Sequence, residues 1–179
     1  LAKISGIKLC DALRAQYGFD AISLMPTNLY GPNDNFDLSS SHVLPALIRK
    51  FYEAKINNKQ FVEIWGTGKP KREFLYVDDL AQACLFVMNN LEANHLYDEM
   101  KLTHLNVGCG QDVSISELAE IVSKTVKYSG SIQYDTSKPD GTPRKLLDVS
   151  KINELGWSAS TDLEEGINQA YSWFIKNKI

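Results

Sequence analysis

Pro26–Pro45, PTNLYGPNDNFDLSSSHVLP, is the stretch whose reading decides the fold. A short apolar run, Ala21–Met25, leads straight into it, and an amphipathic helix leaves it at about Leu44. Between them lies a polar loop carrying Asn28, Asn33, Asn35 and the histidine His42. A buried strand that spills into a long polar loop at its C-terminal end is where open α/β sheets place their ligands. The loop is therefore the expected site, and the rest of the chain is read outward from it.

Upstream, Ile4, Ile7, Cys10, Leu13 and Tyr17 recur at helical spacing and Gly18 stops the run. A helix followed closely by a strand is one step of a parallel sheet. Downstream, Val43, Leu44, Leu47, Ile48 and Phe51 form a helical stripe. Phe61–Trp65 alternates as a strand, Gly66–Pro70 turns, and Lys71–Glu73 leads into a strand over Phe74–Val77. Asp78 or Asp79 is expected to cap a helix over Leu80–Leu91, apolar nearly all round and so deeply buried. The charged, aperiodic stretch Glu92–Thr103 is expected as a surface loop. Leu105–Val107 is a short strand that ends in the tight turn Gly108–Gly110. Ser114 and Glu117 form a capping box ahead of a helix bearing Leu118, Ile121, Val122 and Val126. A strand at Ile132–Asp135, an irregular Lys138–Lys145 and a short helix after Ser150 follow. Thr161 and Glu164 suggest a second capping box for a final helix with Leu163, Ile167, Ala170, Tyr171 and Phe174 on its apolar face. Helices and strands alternate without internal repeat, so the class is α/β.

Bulk properties narrow the function. With 44% hydrophobic and 23% charged residues, the 179-residue chain has the balance of a globular protein with a real core. It has no apolar run of membrane-spanning length, so no membrane partner is expected. A net charge of −3 argues against general nucleic-acid binding. Cys10, Cys84 and Cys109 are far apart and odd in number, which favours reduced thiols in a cytoplasmic setting. His42, His95 and His104 are equally scattered, so no metal site is expected. The sequence opens on Leu1 already inside a helical pattern, with no capping signal before Ala2, as the C-terminal part of a longer protein would.

His42 either caps the helix that follows it or moves protons, since histidine titrates nearest neutral pH. Arg49 and Lys50, Lys69, Lys71 and Arg72, and Arg144 and Lys145 fall in or beside loops. Singly they read as solvated surface; as clusters beside Pro/Gly turns they suit a diphosphate, arginine offering a planar fork and lysine a point charge. Trp65 is either a core residue at a strand end or a stacking surface for a base or sugar. Lys3, at a helix start, gains meaning only with an acid/base residue one turn earlier. No GxGxxG or P-loop pattern is present.

Several segments in order resemble one family. LAKISGIKLCDALRAQYG resembles the region just after the catalytic tyrosine of extended short-chain dehydrogenase/reductases, whose motif is Tyr-x-x-x-Lys; Lys3 matches the lysine. PTNLYGPNDNF, SHVLPALIRKF, IWGTGKPKREFLYVDDLA and SKPDGTPRKLLDVSKINELGW resemble, within that superfamily, the GDP-L-fucose synthases. PTNLYGP is widespread, whereas SHVLP followed by KPDGTPRK is far more specific. The resemblance implies the C-terminal part of a Rossmann-type NAD(P)-binding domain, residues 1–29 and 73–110. It also implies a smaller α/β substrate domain, residues 30–72 and 111–179. The implied enzyme epimerises C3 and C5 of GDP-4-keto-6-deoxy-D-mannose and then reduces C4 with NADPH to give GDP-L-fucose. His42 matches the family's proton-transferring histidine, while the tyrosine and the partner cysteine would precede Leu1. Lys3, Pro26, Asn28, Leu29 and His42 match cofactor contacts. Lys50, Trp65, Arg72, Asp140 and Lys145 match contacts to the nucleotide-sugar, with Lys50 standing where relatives often have arginine. The implied protein is a cytoplasmic homodimer joined through a helix bundle that includes the first helix. By this resemblance the chain needs an N-terminal half for turnover and is inactive alone. Two alternatives stand: a related epimerase or reductase on another nucleotide-sugar, and a binding fragment without chemistry.

Overall fold

In the computed structural model, which describes residues 1–177, strands alternate with helices and four of the five strand pairings are parallel. The α/β class follows directly. Helix α1 (Ala2–Tyr17) ends at Gly18, whose φ of 66° supplies the left-handed stop. Strand β1 (Leu24–Pro26) pairs in parallel with β5 (Leu105–Val107). It lies at the end of the expected Ala21–Met25 run and includes Pro26, which tolerates a strand end because it needs no amide donor there.

The polar stretch after β1 is not all loop. Strand β2 (Asn28–Tyr30) lies inside it and pairs in parallel with β4 (Lys71–Tyr76), Asn28 against Phe74 and Tyr30 against Tyr76. Three residues flanked by Pro26 and Gly31 are too short for alternation to declare them. β4 itself begins at Lys71, earlier than the apolar residues suggest. Its polar first half pairs antiparallel with β6 (Asp112–Ser114) and parallel with the two-residue β8 (Arg144–Lys145), an ordered element in a stretch expected to be irregular. Strand β3 (Phe61–Trp65) pairs in parallel with β7 (Ser131–Asp135).

Strand β4 joins two hydrophobic cores because successive strand residues face opposite sides. Phe74 and Tyr76 enter one core, with Phe51 and Ile48 of α2 (Val43–Ile56), Leu118 and Val122 of α4 (Ile115–Val126), and Ile167 and Phe174 of α6 (Leu163–Asn177). Leu75 enters the other, with Ala83 and Val87 of α3 (Val77–Asn90), Leu105, Val107, and Ile152 of α5 (Ser150–Glu154). Each fully buried large side chain adds about 1.5–3 kcal/mol of transfer free energy.

Four expectations are corrected. Helix α3 is buried on one side only: Leu85 and Met88 are 60% and 79% exposed, since no element of the described chain covers that face. Neither Asp78 nor Asp79 caps it. Tyr76 occupies the cap position, and buried Asp79 instead accepts hydrogen bonds from the Ser160 hydroxyl and the Thr161 amide. The Thr161 amide is thus taken by Asp79, and α6 starts at Leu163, which puts Asp162 rather than Thr161 at the position before the helix. Glu92–Thr103 is not a plain surface loop, because it contains a π-helical turn, His95–Glu99, and buries Ala93 and Leu96. The capping box at Ser114 and Glu117 forms as expected. Among the described residues no helix is long and apolar enough to cross a membrane.

Candidate functional site

Strand β3 buries Val62 and Ile64 and turns Phe61, Glu63 and Trp65 outward, the period of two that the sequence carries. Trp65 therefore ends the strand with its ring 66% exposed, not in the core. Helix α2 faces the same edge. Its apolar stripe is buried, and Lys50, on its flank, donates from Nζ to the Glu63 carbonyl at 3.2 Å.

The Gly66–Gly68 turn then brings a distant loop into place. The Asp140 carboxylate accepts hydrogen bonds from the Thr67 amide (2.8 Å) and hydroxyl (2.7 Å). Those two donors hold the Asp140 carboxyl below the usual carboxylate range. Gly66, at φ 80°, makes this approach possible, since a Cβ there would overlap the Asp140 carboxylate. Arg72 pins the loop a second time, donating from Nη1 to the carbonyls of Thr142 (2.6 Å) and Lys71 (2.7 Å).

These contacts enclose a cleft of about 290 Å³ lined by Lys50, Trp65, Arg72 and Asp140 over an apolar floor that includes Val43, Leu47, Ile64 and Ile115. Four side chains from four separate places in the sequence thus share one concavity, the form that ligand sites take. Lys145 is exposed and pairs with Arg72 in the β4–β8 register, one strand over and outside the cleft lining. The other basic residues sort by their partners. Arg49 pairs with Glu53 at 2.7 Å, and Arg144 with Asp112 at 2.5 Å. Their guanidiniums serve the scaffold. Lys138, which sequence reasoning did not select, places its ammonium 5.6 Å from the centre of the Trp65 ring, with that of Lys50 at 5.7 Å. Its signal was its place in KPDGTPRK, beside the residues that were chosen.

His42 occupies the cap position of α2 with extended backbone, yet its side chain makes no capping bond and is exposed. Capping is thus not what the imidazole does. Next to it the Ser41 hydroxyl is enclosed and without a hydrogen-bond partner among the described residues. Val43, the residue after His42, lines the cleft, whereas His42 is not itself among the lining residues.

Pro26, Asn28 and Leu29 lie at the β1–β2 junction, Pro26 and Asn28 exposed and Leu29 half-buried. Glu73, a fully buried residue that the sequence reading passed over, fixes this junction. Its backbone carbonyl accepts from the Asn28 side-chain amide (2.7 Å) and the Thr27 hydroxyl (3.3 Å). Its carboxylate accepts from the amides of Gly110 (2.7 Å) and Leu147 (3.0 Å), and Gly108 leaves the room it needs. A buried carboxylate among backbone donors was not visible as such in KREFLY. Cys109, beside it, has the carbonyls of Phe74 and Gln111 within reach of its one S–H donor, and burial pushes its thiol pKa up. It is a poor thiolate. Lys3 is exposed in the first turn of α1 and makes no hydrogen bond or ion pair among the described residues; no contact brings it to the cleft.

The sequence profile of the NAD dependent epimerase/dehydratase family matches residues 1–108. GDP-L-fucose synthase 1 of Arabidopsis thaliana is 54% identical over 177 residues, covering 99% of this chain and 52% of its own length. The chain thus spans about half the length of the curated relatives it matches. Among solved structures, a GDP-6-OMe-4-keto-L-xylo-heptose reductase from C. jejuni superposes with a TM-score of 0.91 at 39% identity, covering 98% of this chain and 60% of that one. A GDP-L-fucose synthetase from Naegleria fowleri bound to NADP superposes with a TM-score of 0.79 at 32% identity, covering 88% of this chain and 45% of that one.

Proposed function

The chain belongs to the NAD dependent epimerase/dehydratase family, and from that premise we propose that it carries the nucleotide-sugar side of a GDP-L-fucose synthase active site. The observation that carries the proposal is the convergence of Lys50, Trp65, Arg72 and Asp140 on one cleft, with His42 preceding Val43 of its lining at the start of α2. The substrate is GDP-4-keto-6-deoxy-D-mannose and the product GDP-L-fucose. Protons on C3 and C5 flank the C4 ketone and pass to the partner cysteine that the resemblance places before Leu1, because the enolate left behind is stabilised. His42, exposed and uncommitted, returns a proton to the opposite face. Trp65 offers a stacking surface, Lys50 and Arg72 positive charge for the diphosphate, and Asp140 fixes the loop that closes the cleft. Lys145 extends the positive rim beyond the lining.

The residues present fit one end of NADP(H). Pro26 is exposed at the C-terminal end of β1, where parallel sheets bind ligands, Asn28 is exposed at the start of β2 just beyond it, and the Lys3 ammonium has no partner among the described residues. Leu29 backs this edge, and His42 completes the family's set of contacts. The glycine-rich loop for the other end is not in this sequence. When bound, NADPH supplies the hydride that reduces C4. Lys3 holds positive charge where the family's tyrosine needs a lowered pKa.

The tyrosine and the partner cysteine fall, by the resemblance, before Leu1, so the chain alone gives no turnover. Supplying the N-terminal half restores it. Residues 1–29 with 73–110 serve the cofactor and 30–72 with 111–179 the substrate, except that Val149, Ile152 and Trp157 pack in the cofactor-side core. The homodimer proposed for the enzyme uses α1, whose Ile4, Leu9 and Tyr17 are exposed. Three unpaired cysteines suit a cytoplasmic setting.

The test is deuterium exchange. In heavy water, the enzyme with both halves is expected to label C3 and C5 of the keto sugar, and His42→Gln to lower that labelling by about 10²–10⁴-fold while GDP binding persists. Unlabelled substrate with the wild type contradicts the proposal. The likeness to a GDP-keto-heptose reductase supports a second reading, a C4 reductase without epimerisation. On that second reading the enzyme with both halves oxidises NADPH and labels neither carbon.

A further inference from the structure

We infer that Lys138 is a second phosphate-binding cation, acting with Lys50 across the Trp65 ring to hold the diphosphate of the nucleotide-sugar; this rests on the function proposed above. Both ammonium groups lie within 6 Å of one indole centroid, at 5.7 Å for Lys50 and 5.6 Å for Lys138. The contact of an exposed ammonium with an aromatic face is weak. A phosphate beside Trp65 replaces that weak contact with a charge-assisted one for each lysine. The neighbouring carboxylates accept hydrogen bonds from other donors, and only the Asp135 carboxylate also feels the Lys138 charge, as the last of the influences that lower its pKa. Asp140 accepts from Thr67, and Asp135 accepts from the Ser137 amide (3.0 Å) and hydroxyl (2.6 Å). The Lys138 side chain makes no hydrogen bond or ion pair among the described residues.

The backbone beneath Lys138 is held on both sides. Its amide donates to the Asp135 carbonyl at 3.2 Å, and Asp140 and Thr142 are tied to Thr67 and Arg72. The ammonium is thus delivered by a pinned loop to the rim of the same cleft that Pro139, Asp140 and Gly141 line. A lysine placed this way costs less ordering on binding than one on a free loop. Two ammoniums and the Arg72 guanidinium on one rim suit an extended, doubly charged diphosphate better than a single carboxylate.

Calorimetric titration of the full 179-residue chain and its Lys138→Gln and Lys138→Arg variants tests this, with GDP, guanosine and inorganic pyrophosphate as probes. Lys138→Gln is expected to weaken GDP and pyrophosphate by about tenfold or more, the worth of one charge-assisted contact, and to leave guanosine unchanged. Lys138→Arg is expected to recover most of the loss. Unaltered GDP affinity in Lys138→Gln, or equal loss for GDP and guanosine, overturns the inference. So does a wild type that binds none of the three. A UDP and dTDP arm separates this from the substrate reading. If the wild type prefers one of those nucleotides and Lys138→Gln weakens it tenfold, Lys138 keeps its role and the GDP-sugar assignment fails.

Discussion

Asp140 and Thr67 lie 73 residues apart in sequence, and two hydrogen bonds between them close the cleft. The carboxylate must be ionised to accept both. Its folded pKa lies below the ordinary 3.8, so the latch contributes fully above that value and is lost as pH falls through the lowered one. The Thr67 amide resonance is expected to titrate with a midpoint below 3.8; a midpoint at or above 3.8 contradicts the latch. His42 and Glu73 show the opposite uses of a polar side chain. His42 is exposed and uncommitted, free to meet a ligand. Glu73 is buried and saturated by backbone donors, and what it does for the site is to hold Thr27 and Asn28 in place. Only the first kind of residue is recognisable from type and position in a sequence. The second depends on segments around residues 27, 110 and 147 meeting in space.

The short turn between β3 and β4 has the largest leverage of any element at the site. Gly66→Ala puts a Cβ at φ 80° and against the Asp140 carboxylate. It is expected to destabilise the chain by at least about 1–2 kcal/mol and to loosen GDP binding with it. Gly6→Ala, inside α1 with nothing within 4 Å of its Cβ, is expected to stabilise by roughly 0.5–1 kcal/mol. Urea midpoints of the two variants should move in opposite directions; movement in the same direction contradicts this account of the turn. Long periodic elements were legible because burial follows period: α2, α4, α6 and β3 bury the faces their patterns mark. Strands β2, β6 and β8 were not, for two or three residues have no period and owe their pairing to β4. Helix α3 misled for a different reason. An apolar helix announces that something covers it, not that the cover lies in the same chain.

At the scale of the whole molecule, β4 is the seam. Its Phe74 and Tyr76 face one core and its Leu75 the other, so the substrate cleft and the β1–β2 junction proposed for the cofactor are held by one strand. The candidate residues for the nucleotide-sugar were legible as types, a tryptophan and several cations near turns. Their sorting into Lys50 and Arg72 in the cleft lining, Lys138 beside the Trp65 ring, and Arg49 and Arg144 in scaffold pairs needed the fold, because an ion pair with Glu53 or Asp112 is a fact of distance. The central claim is that a guanosine nucleotide-sugar occupies the cleft beside Trp65. Titrating the ¹⁵N-labelled chain with GDP while watching the indole N–H signals of Trp65, Trp157 and Trp173, assigned with Trp65→Phe, tests it most directly. The account predicts saturable movement of the Trp65 signal, with the signals of Trp157 and Trp173 unmoved. No movement at Trp65, or movement confined to the other two, would contradict it.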